Sequence, residues 1–316
     1  MAGKTHPEII ASDAAGIARA ADVLRRGGLV AVPTETVYGL AARADSADAV
    51  AAIYRAKGRP DFNPLIVHVP GIAEAEMLAL LDDRARSLTD GFWPGALTLV
   101  LPKRQDASLA AAVTAGLPTV ALRCPAHPAM RQLLNEAGLP LAAPSANRSG
   151  AVSPTTAMHV AASLGNKVDL ILDGGACTAG VESTIVALRS DGGWQILRPG
   201  PVTEAQITGV LGEGPCAMTS SGGIEAPGQL ASHYAPGKPM RLGVEHAGEN
   251  EFHIGFGPVA GDMNLSATGD LAEAAANLYA ALHAAAASPN PAIAVAPIGE
   301  GGLGTAINDR LRRAAA

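Results

Sequence analysis

Apolar positions along this chain of 316 residues alternate between two spacings, one typical of helices and one typical of buried strands. Between Ser12 and Arg26, apolar residues recur every three or four positions, as on one face of an amphipathic helix. Gly27 and Gly28 end that pattern, and the short apolar run at 29–32 predicts a strand. The same succession of helix and strand continues along the chain.

Further elements follow from the same patterns over the first 211 residues. Strands are predicted at 64–69, 97–101, 119–122, 139–142, 170–172, 184–188 and 195–197. Helices are predicted at 47–56, 129–136, 155–164 and 204–211. Some of these strands are only a few residues apart, and parallel neighbours need a long crossover, so a strictly parallel sheet is excluded. We therefore predict an α/β fold with a twisted mixed sheet and flanking helices.

The composition of the sequence changes at residues 212–239, which are rich in Gly, Pro and Ser and show neither the helical nor the strand spacing. Such a stretch is typical of a linker between domains. Beyond it, strands are predicted at 240–244, 252–256 and 292–296 and helices at 271–287 and 305–313. We therefore predict a large domain over 1–211, a linker, and a smaller Rossmann-like α/β domain over 240–316.

Composition and charge limit the partners that this chain can have. Hydrophobic residues make up 48% of it and aromatic residues only 3%, so its core must be built mainly from Ala, Val, Leu and Ile. A formal net charge of −6 and a pI near 5.7 provide no broad cationic field for a phosphodiester backbone. We therefore do not expect tight direct binding of tRNA.

Cysteine usage and hydropathy bear on location. Cys124, Cys177 and Cys216 are far apart and form no C-x-x-C pair, which is typical of reduced thiols in a cytoplasm. The first ten residues contain no apolar segment of a signal peptide, and a glycine and a proline interrupt the longest uncharged stretch, 107–122. We expect a soluble, cytoplasmic protein that does not enter a membrane.

The segment from Lys57 to His68 combines cations with stiffening prolines. Lys57 and Arg59 flank a glycine at a predicted helix end, where one cation would complement the helix macrodipole. A second cation, two prolines and the amide of Asn63 go beyond that need and favour a fixed site for phosphate oxygens. His68 taken alone, inside an apolar strand, would more often be a core histidine with its hydrogen bonds satisfied.

Polar groups also lie inside or at the ends of other apolar runs. The strand that ends at residue 33 is followed by two threonines and a glutamate, and Arg123, Ser183 and Arg198 occupy comparable places. A buried arginine is costly unless an anion or several acceptors meet it, so arginines at strand ends imply an anionic ligand.

A second polar cluster, with Ser145, Asn147 and Ser153, follows another short strand. Turn formation and the N-cap of the next helix explain these residue types as well as a ligand site does. The residues alone leave both interpretations open.

Together these stretches resemble the YrdC-like family of threonylcarbamoyl-AMP synthases, in the long form with an extra C-terminal domain. The blocks PTETVYGL, KGRPDFNPL, PSANRSG, ESTIV and LRPG are similar to that family's core blocks and occur in its order. SHYAPGKP is similar to the linker signature of the long form, and GEGGLGTAINDRLRRA to its closing segment. The resemblance covers nearly the whole chain and implies that 1–211 is a YrdC-like catalytic domain.

The resemblance implies an activity, that of an L-threonylcarbamoyladenylate synthase, a nucleotidyltransferase. Such an enzyme converts L-threonine, bicarbonate and ATP into threonylcarbamoyl-AMP and pyrophosphate, for the threonylcarbamoyladenosine modification of tRNA. Mg²⁺ would arrive with ATP, without a metal site of the protein itself, and the product would pass to a tRNA threonylcarbamoyl transferase.

The resemblance also implies site residues. The threonine site would comprise Thr34, Thr36, His68, Arg123, Ala143 and Ser183. The ATP site would comprise Arg59, Asn63, Thr119, Ser145, Asn147, Ser153, Arg198 and Tyr234. Lys57 and Arg59 would be catalytic through their charge, with no covalent nucleophile.

Two alternatives share the core. YrdC-like folds have been suspected of binding double-stranded RNA on a concave basic surface, and a groove of arginines would suit that role, although the acidic balance argues against it. The hydrogenase-maturation carbamoyltransferase embeds a similar core but adds an acylphosphatase-like domain and zinc fingers. This chain has neither the length nor the paired cysteines for those additions.

Overall fold

The structure is a computed structural model that describes residues 7–216, 224–229 and 232–316. The remaining parts of the predicted linker, 217–223 and 230–231, lie outside the described residues. Two β-sheets organise what is described, one of ten strands and one of four. The predicted fold class, a mixed α/β sheet with helices plus a small second α/β unit, is confirmed.

The larger sheet is mixed, and the order of its strands across the sheet differs from their order in the sequence. In chain order its strands are β1 (Glu8–Ala11), β2 (Val30–Val32), β3 (Gly39–Arg43), β4 (Ile66–His68), β5 (Leu97–Pro102), β6 (Thr119–Arg123), β7 (Leu141–Ala142), β8 (Leu170–Asp173), β9 (Thr184–Leu188) and β10 (Trp194–Arg198). Across the sheet the order is β1-β8-β2-β3-β7-β4-β6-β5-β9-β10. The sheet contains both parallel and antiparallel pairs, and β4 lies parallel to β6 with His68 beside Arg123.

Helices cover the sheet where their apolar faces meet it. They are α1 (Ala14–Arg25), α2 (Ala47–Lys57), α3 (Ile72–Glu76), α4 (Asp83–Phe92), α5 (Pro128–Ala137), α6 (Ala157–Leu164) and α7 (Glu204–Leu211). The side chain of Asp13 caps α1 by accepting from the Gly16 amide at 2.8 Å, and α1 buries Ile17 and Leu24 against α5 and the sheet. The helical spacing of the sequence therefore identified the buried face correctly.

Sequence patterns missed β1, β3, α3 and α4. Strand β1 alternates between half-buried and exposed residues and pairs with β8, about 160 residues away, so no local signal marks it. Strand β3 has the sequence GLAAR, in which apolar and polar residues do not alternate, and burial between β2 and β7 makes it a strand. Helix α4 is largely polar and buries only three residues, so its apolar stripe is too narrow to detect.

The smaller sheet lies at the C-terminal end of the chain. It comprises β11 (Met240–Leu242), β12 (Glu251–Gly255), β13 (Met263–Asn264) and β14 (Ala292–Val295), in the order β11-β14-β12-β13. Its described pairs are all parallel, as a Rossmann-like arrangement requires. Helices α8 (Leu271–Ala287) and α9 (Leu303–Ala314) supply most of its buried core.

The two sheets share one hydrophobic cluster. Val37, Val152 and Val181 from the first part of the chain pack in the same cluster as Tyr279 and the other buried residues of α8. Gly180 adopts φ +69°, and a Cβ there would lie 2.2 Å from the Ala275 carbonyl oxygen, so only glycine allows α8 to pack this closely. The described chain contains no helix long and apolar enough to cross a membrane.

A pair of histidines joins α6 to α8 at this contact and should make stability depend on pH. The rings of His159 and His283 stack with centroids 3.9 Å apart, and burial, followed by the charge of His283, lowers the pKa of His159 from 6.5 to about 4. Because the unfolded chain binds this proton more readily, stability should fall as pH drops from about 6.5 towards about 4. Replacement by His159→Phe should reduce the loss of unfolding free energy between pH 7 and pH 5 by about 1 kcal/mol, after allowing for solvent screening of a half-buried pair.

Urea unfolding at both pH values measures this difference, with His246→Gln, at an exposed histidine, as the control. Equal pH dependence in wild type and His159→Phe would contradict the assignment.

Candidate functional site

A cavity of about 50 Å³ lies where several strand ends of the larger sheet meet the linker. It is lined by Thr34, Thr36, Val37, Gly39, Arg59, Ile66, His68, Arg123, Ala143, Pro144, Ser145, Glu182, Ser183, Arg198, Pro227, Gly228, His233 and Tyr234. Ten of the fifteen residues predicted for the site are in this lining, and they come from segments scattered between 34 and 234. The structure therefore brings most of the predicted site together.

Arg123 and the two threonines form one wall of the cavity. The Thr34 hydroxyl donates to the Val37 carbonyl at 2.7 Å and lies 2.8 Å from the Thr36 hydroxyl, which fixes the turn after β2. The Arg123 guanidinium donates to the Thr36 hydroxyl at 2.9 Å and to the Gly95 carbonyl at 3.1 Å. A guanidinium has five N–H groups, so after its bond to Glu35 two remain for a ligand.

Glu35, the glutamate between the two threonines, was not among the residues predicted for the site, but it holds Arg123. Its carboxylate accepts from Arg123 at 2.6 Å and from the Ala126 amide at 3.1 Å. Burial by itself would raise the pKa of Glu35, but the charge and hydrogen bond of Arg123 lower it below the usual value. Its position between the two threonines was the only available signal, because its partner lies 88 residues away.

His68 faces the cavity as a neutral imidazole. Burial, reinforced by the nearby charge of Arg123, lowers its pKa from 6.5 to about 3. Its Nδ1 atom is buried and has no hydrogen-bond partner within the described chain. A buried nitrogen without a partner is costly in a protein interior, so a ligand atom in the cavity would complete its hydrogen bonding.

Ser183 and Arg198 form a second polar wall. The Arg198 guanidinium donates to the Ser183 carbonyl and hydroxyl, both at 3.1 Å, and the Ser183 hydroxyl also lies 2.7 Å from that of Thr98. Gly200 makes this approach possible, because a Cβ there would lie 2.3 Å from the Thr184 amide nitrogen. Arg198 is buried, and this burial is the main reason that its pKa is lowered.

Arg59 follows α2 and also lies in the lining. Its guanidinium donates to the backbone carbonyls of Asn63 at 3.2 Å and Pro64 at 2.8 Å. Burial is the largest cause that lowers its pKa from 12.5 to about 10, so the side chain remains cationic at neutral pH. Three arginines, Arg59, Arg123 and Arg198, therefore meet around one small cavity.

Five predicted residues lie outside the lining, and their roles stay predictions. The ammonium of Lys57 donates to the carbonyls of Ser145 at 2.6 Å and Asn147 at 2.5 Å, so it holds the 145–147 loop. Burial, with the charge of Arg59, lowers the pKa of Lys57. Ser153 donates to Glu182 at 2.6 Å.

The other three members of this group are Asn63, Thr119 and Asn147. Thr119 is the first residue of β6, at the end of the strand opposite Arg123. Asn63 and Asn147 are buried, and the Oδ1 atom of each has no partner in the described part of the chain. These two amides therefore resemble His68 in presenting an unsatisfied polar atom close to the site.

The linker closes the cavity. Tyr234 is buried, adopts φ +65°, and lies in the lining with His233 and Pro227. A site for a nucleotide needs roughly 300–1,000 Å³, and the cavity measures only about 50 Å³. The cavity as described is therefore smaller than a nucleotide site, and Pro227, His233 and Tyr234 of the linker form part of its wall.

Glu182 is the one carboxylate in the lining that the structure describes, and sequence reasoning passed over it for its neighbour Ser183. His233 was missed in the same way beside Tyr234. No group of three or more His, Cys, Asp or Glu side chains able to hold a metal occurs within 7–216, 224–229 and 232–316.

Two family models together match nearly the whole chain. The model for Sua5, YciO and YrdC proteins, described as "Telomere recombination", matches residues 22–200. The model described as "Threonylcarbamoyl-AMP synthase, C-terminal domain" matches residues 202–316.

Two similar curated proteins are named threonylcarbamoyl-AMP synthase. A threonylcarbamoyl-AMP synthase from Bacillus subtilis is 49% identical over 72% of this chain and 66% of its own length. One from Pyrococcus abyssi is 39% identical over 93% of this chain and 92% of its own length.

Solved structures agree with these matches. The crystal structure of Pyrococcus abyssi Sua5 complexed with L-threonine superposes with a TM-score of 0.88 at 36% identity, covering 98% of this chain and 97% of that one. Escherichia coli YciO shares the fold of the larger domain, with a TM-score of 0.53 at 22% identity over 62% of this chain and 96% of its own. The family models and the archaeal relative show that this chain belongs to the Sua5, YciO and YrdC family, in the long form with a second, C-terminal domain.

Proposed function

We propose that this protein is an enzyme, an L-threonylcarbamoyladenylate synthase that forms threonylcarbamoyl-AMP and pyrophosphate from L-threonine, bicarbonate and ATP. The observation that carries the proposal is the convergence of Arg59, Arg123 and Arg198 on one cavity whose wall also presents the unpartnered Nδ1 of His68. Such a site suits two anionic substrates. The names of relatives 39–49% identical to this chain support the same activity.

Threonine would bind at the wall built by Arg123. The two remaining N–H groups of its guanidinium suit the carboxylate of an amino acid, and Glu35 holds the guanidinium in place. The nearby hydroxyl groups and the neutral His68 would contact the polar side chain and the amine without adding charge. The threonine complex of the Pyrococcus abyssi relative supports this substrate.

Catalysis would rest on bringing two anions together. The threonine amine and bicarbonate form a carbamate with loss of water, and a carbamate oxygen attacks the α-phosphorus of MgATP, so that the bond to pyrophosphate breaks. Arg59, Arg198 and the metal ion that ATP carries would offset the repulsion between these reactants. Each would lower the activation barrier by on the order of several kcal/mol. No side chain needs to act as a covalent nucleophile in this sequence of bonds.

The linker would act as a lid over the reacting groups. Because the cavity is too small for ATP as it stands, Tyr234 and its neighbours must move outward to admit the nucleotide. Closure afterwards would exclude water from the short-lived carbamate. The product would then pass to a tRNA threonylcarbamoyl transferase. The unpaired thiols of Cys124, Cys177 and Cys216 are consistent with action in the cytoplasm.

Pyrophosphate release should depend on all three substrates. Omitting L-threonine, bicarbonate or ATP in turn should each abolish release of pyrophosphate, which a coupled assay measures. Release that continues without threonine or bicarbonate would indicate simple ATP hydrolysis. Salt-dependent binding of double-stranded RNA without any release would favour the RNA-binding alternative.

Replacing Arg123 should affect the KM for threonine and not the KM for ATP. Arg123→Ala should raise the KM for threonine by about 30-fold, the equivalent of roughly 2 kcal/mol for a charged hydrogen-bonded pair, and leave the KM for ATP nearly unchanged. The double variant Glu35→Gln/Arg123→Ala removes the carboxylate left unpaired and should keep the defect. Full recovery in the double variant would show that Arg123 only stabilises Glu35.

Arg59→Met should mainly impair the use of ATP, because it removes a buried cation from the cavity while keeping most of the side-chain volume. We expect the KM for ATP to rise by at least about tenfold. Arg55→Met, at an exposed arginine of α2, is the matched control and should behave as wild type. Equal kinetics for the two variants would remove Arg59 from the site.

A further inference from the structure

Glu182 presents a charge problem that the proposed function does not solve. Glu182 lines a cavity proposed to bind ATP and carbamate, and it is the one acidic residue among the described residues of that lining. An unpaired carboxylate there would repel the triphosphate, because charges in a partly dry cavity interact far more strongly than in water. The side chain of Glu182 is only 7% exposed, so solvent does not screen it.

The partner of Glu182 comes from the second domain. Arg310, on α9, donates from Nε to the Glu182 carboxylate at 2.8 Å and from a second nitrogen to the Glu182 carbonyl at 3.4 Å. Tyr279, on α8, donates to the same carboxylate oxygen at 2.8 Å. Both partners therefore belong to the C-terminal domain, and Arg310 has a side-chain exposure of 0%.

The position of Arg310 is itself fixed by several contacts. Its guanidinium donates to the Pro199 carbonyl at 2.9 Å and to the Asp309 carboxylate at 2.8 Å. Its Cζ atom lies 5.4 Å from the ring centroid of Tyr234, in a cation–π contact with the lid. Arg310 thus contacts the end of the LRPG block and the linker as well as Glu182.

The effect of this pairing reaches the proposed ATP site. Burial by itself would raise the pKa of Glu182, but Arg310 first and then Arg198 lower it to about 2, so the carboxylate is ionised and compensated. Its other oxygen accepts from the Ser153 hydroxyl at 2.6 Å. Arg310 therefore fixes Glu182, and Glu182 fixes the hydroxyl of Ser153.

We propose that Arg310 is a positioning residue through which the C-terminal domain neutralises Glu182 and thereby makes the cavity able to bind MgATP. This inference rests on the proposed function, since it concerns how the same site holds its nucleotide. It assigns the second domain a direct electrostatic role in the active site, in addition to its hydrophobic contact with the first domain.

The proposal is tested by measuring nucleotide binding, without turnover, in a variant that lacks Arg310 and in a double variant that also lacks the charge of Glu182. Titration calorimetry with the magnesium complex of α,β-methylene-ATP, which cannot release pyrophosphate, measures the Kd for the full-length protein. Arg310→Met should weaken binding at least tenfold, because it removes the ion-pair partner of Glu182 and leaves that carboxylate hydrogen-bonded to the neutral hydroxyls of Tyr279 and Ser153. The double variant Glu182→Gln/Arg310→Met removes that charge and should bind within about threefold of wild type.

Two further variants keep the outcome decisive. Arg310→Lys retains the charge and should recover most of the affinity, and Arg312→Met, an exposed arginine on the same helix, should bind as wild type. If Arg310→Met does not fold, Glu182→Gln alone still tests the charge argument. It should bind the nucleotide at least as tightly as wild type, and a loss of more than threefold would overturn the proposal.

The possible failures are distinguishable. No binding of the nucleotide to the wild-type protein would overturn the proposed function and this inference with it. Binding to wild type, with equal losses in Arg310→Met and the double variant, would overturn this inference alone and leave Arg310 a purely structural residue. With threonine and bicarbonate present, Arg310→Met should raise the KM for ATP far more than the KM for threonine.

Discussion

The architecture of this protein depends on the requirement that each buried arginine must meet enough acceptors. Arg59, Arg123, Arg198 and Arg310 are all buried, and each donates to backbone carbonyls or side-chain oxygens. The acceptors of Arg59 lie in its own segment, whereas other segments supply those of the remaining three. Burying a cation costs several kcal/mol unless such partners are in place. Three of them, Arg59, Arg123 and Arg198, line one cavity, so their need for acceptors helps to specify which strand ends come together.

Some of these arginines are neutralised by a carboxylate and others are not, and this difference suits a site for anionic substrates. Arg123 and Arg310 are each paired with a carboxylate, Glu35 and Glu182, whereas Arg59 donates to neutral carbonyls. The carboxylate pairs hold two guanidinium groups in place without an excess of local charge. Arg59, together with Arg198, leaves net positive charge in the cavity, where anionic substrates would supply the balance.

The second domain contacts the first domain, beside the candidate site, through both packing and charge. Val37, Val152 and Val181 lie in the same hydrophobic cluster as α8, and the ion pair of Glu182 and Arg310 crosses the same contact. Relatives that share only the larger domain, such as YciO, show that its fold does not require the C-terminal domain. In this chain, however, Glu182 of the cavity lining accepts hydrogen bonds from Tyr279 on α8 and Arg310 on α9.

The sequence alone determined the α/β class, most helices and strands, and the segments that carry the site, because these depend on local spacing and on short polar blocks at strand ends. It also indicated Arg123 and Arg198 as groups in need of an anion or acceptors. Only the tertiary structure decided the acceptors, because Glu35 lies 88 residues from Arg123 and Glu182 lies 128 residues from Arg310. A charge is visible in a sequence, but its neutralisation depends on which distant residue is folded against it.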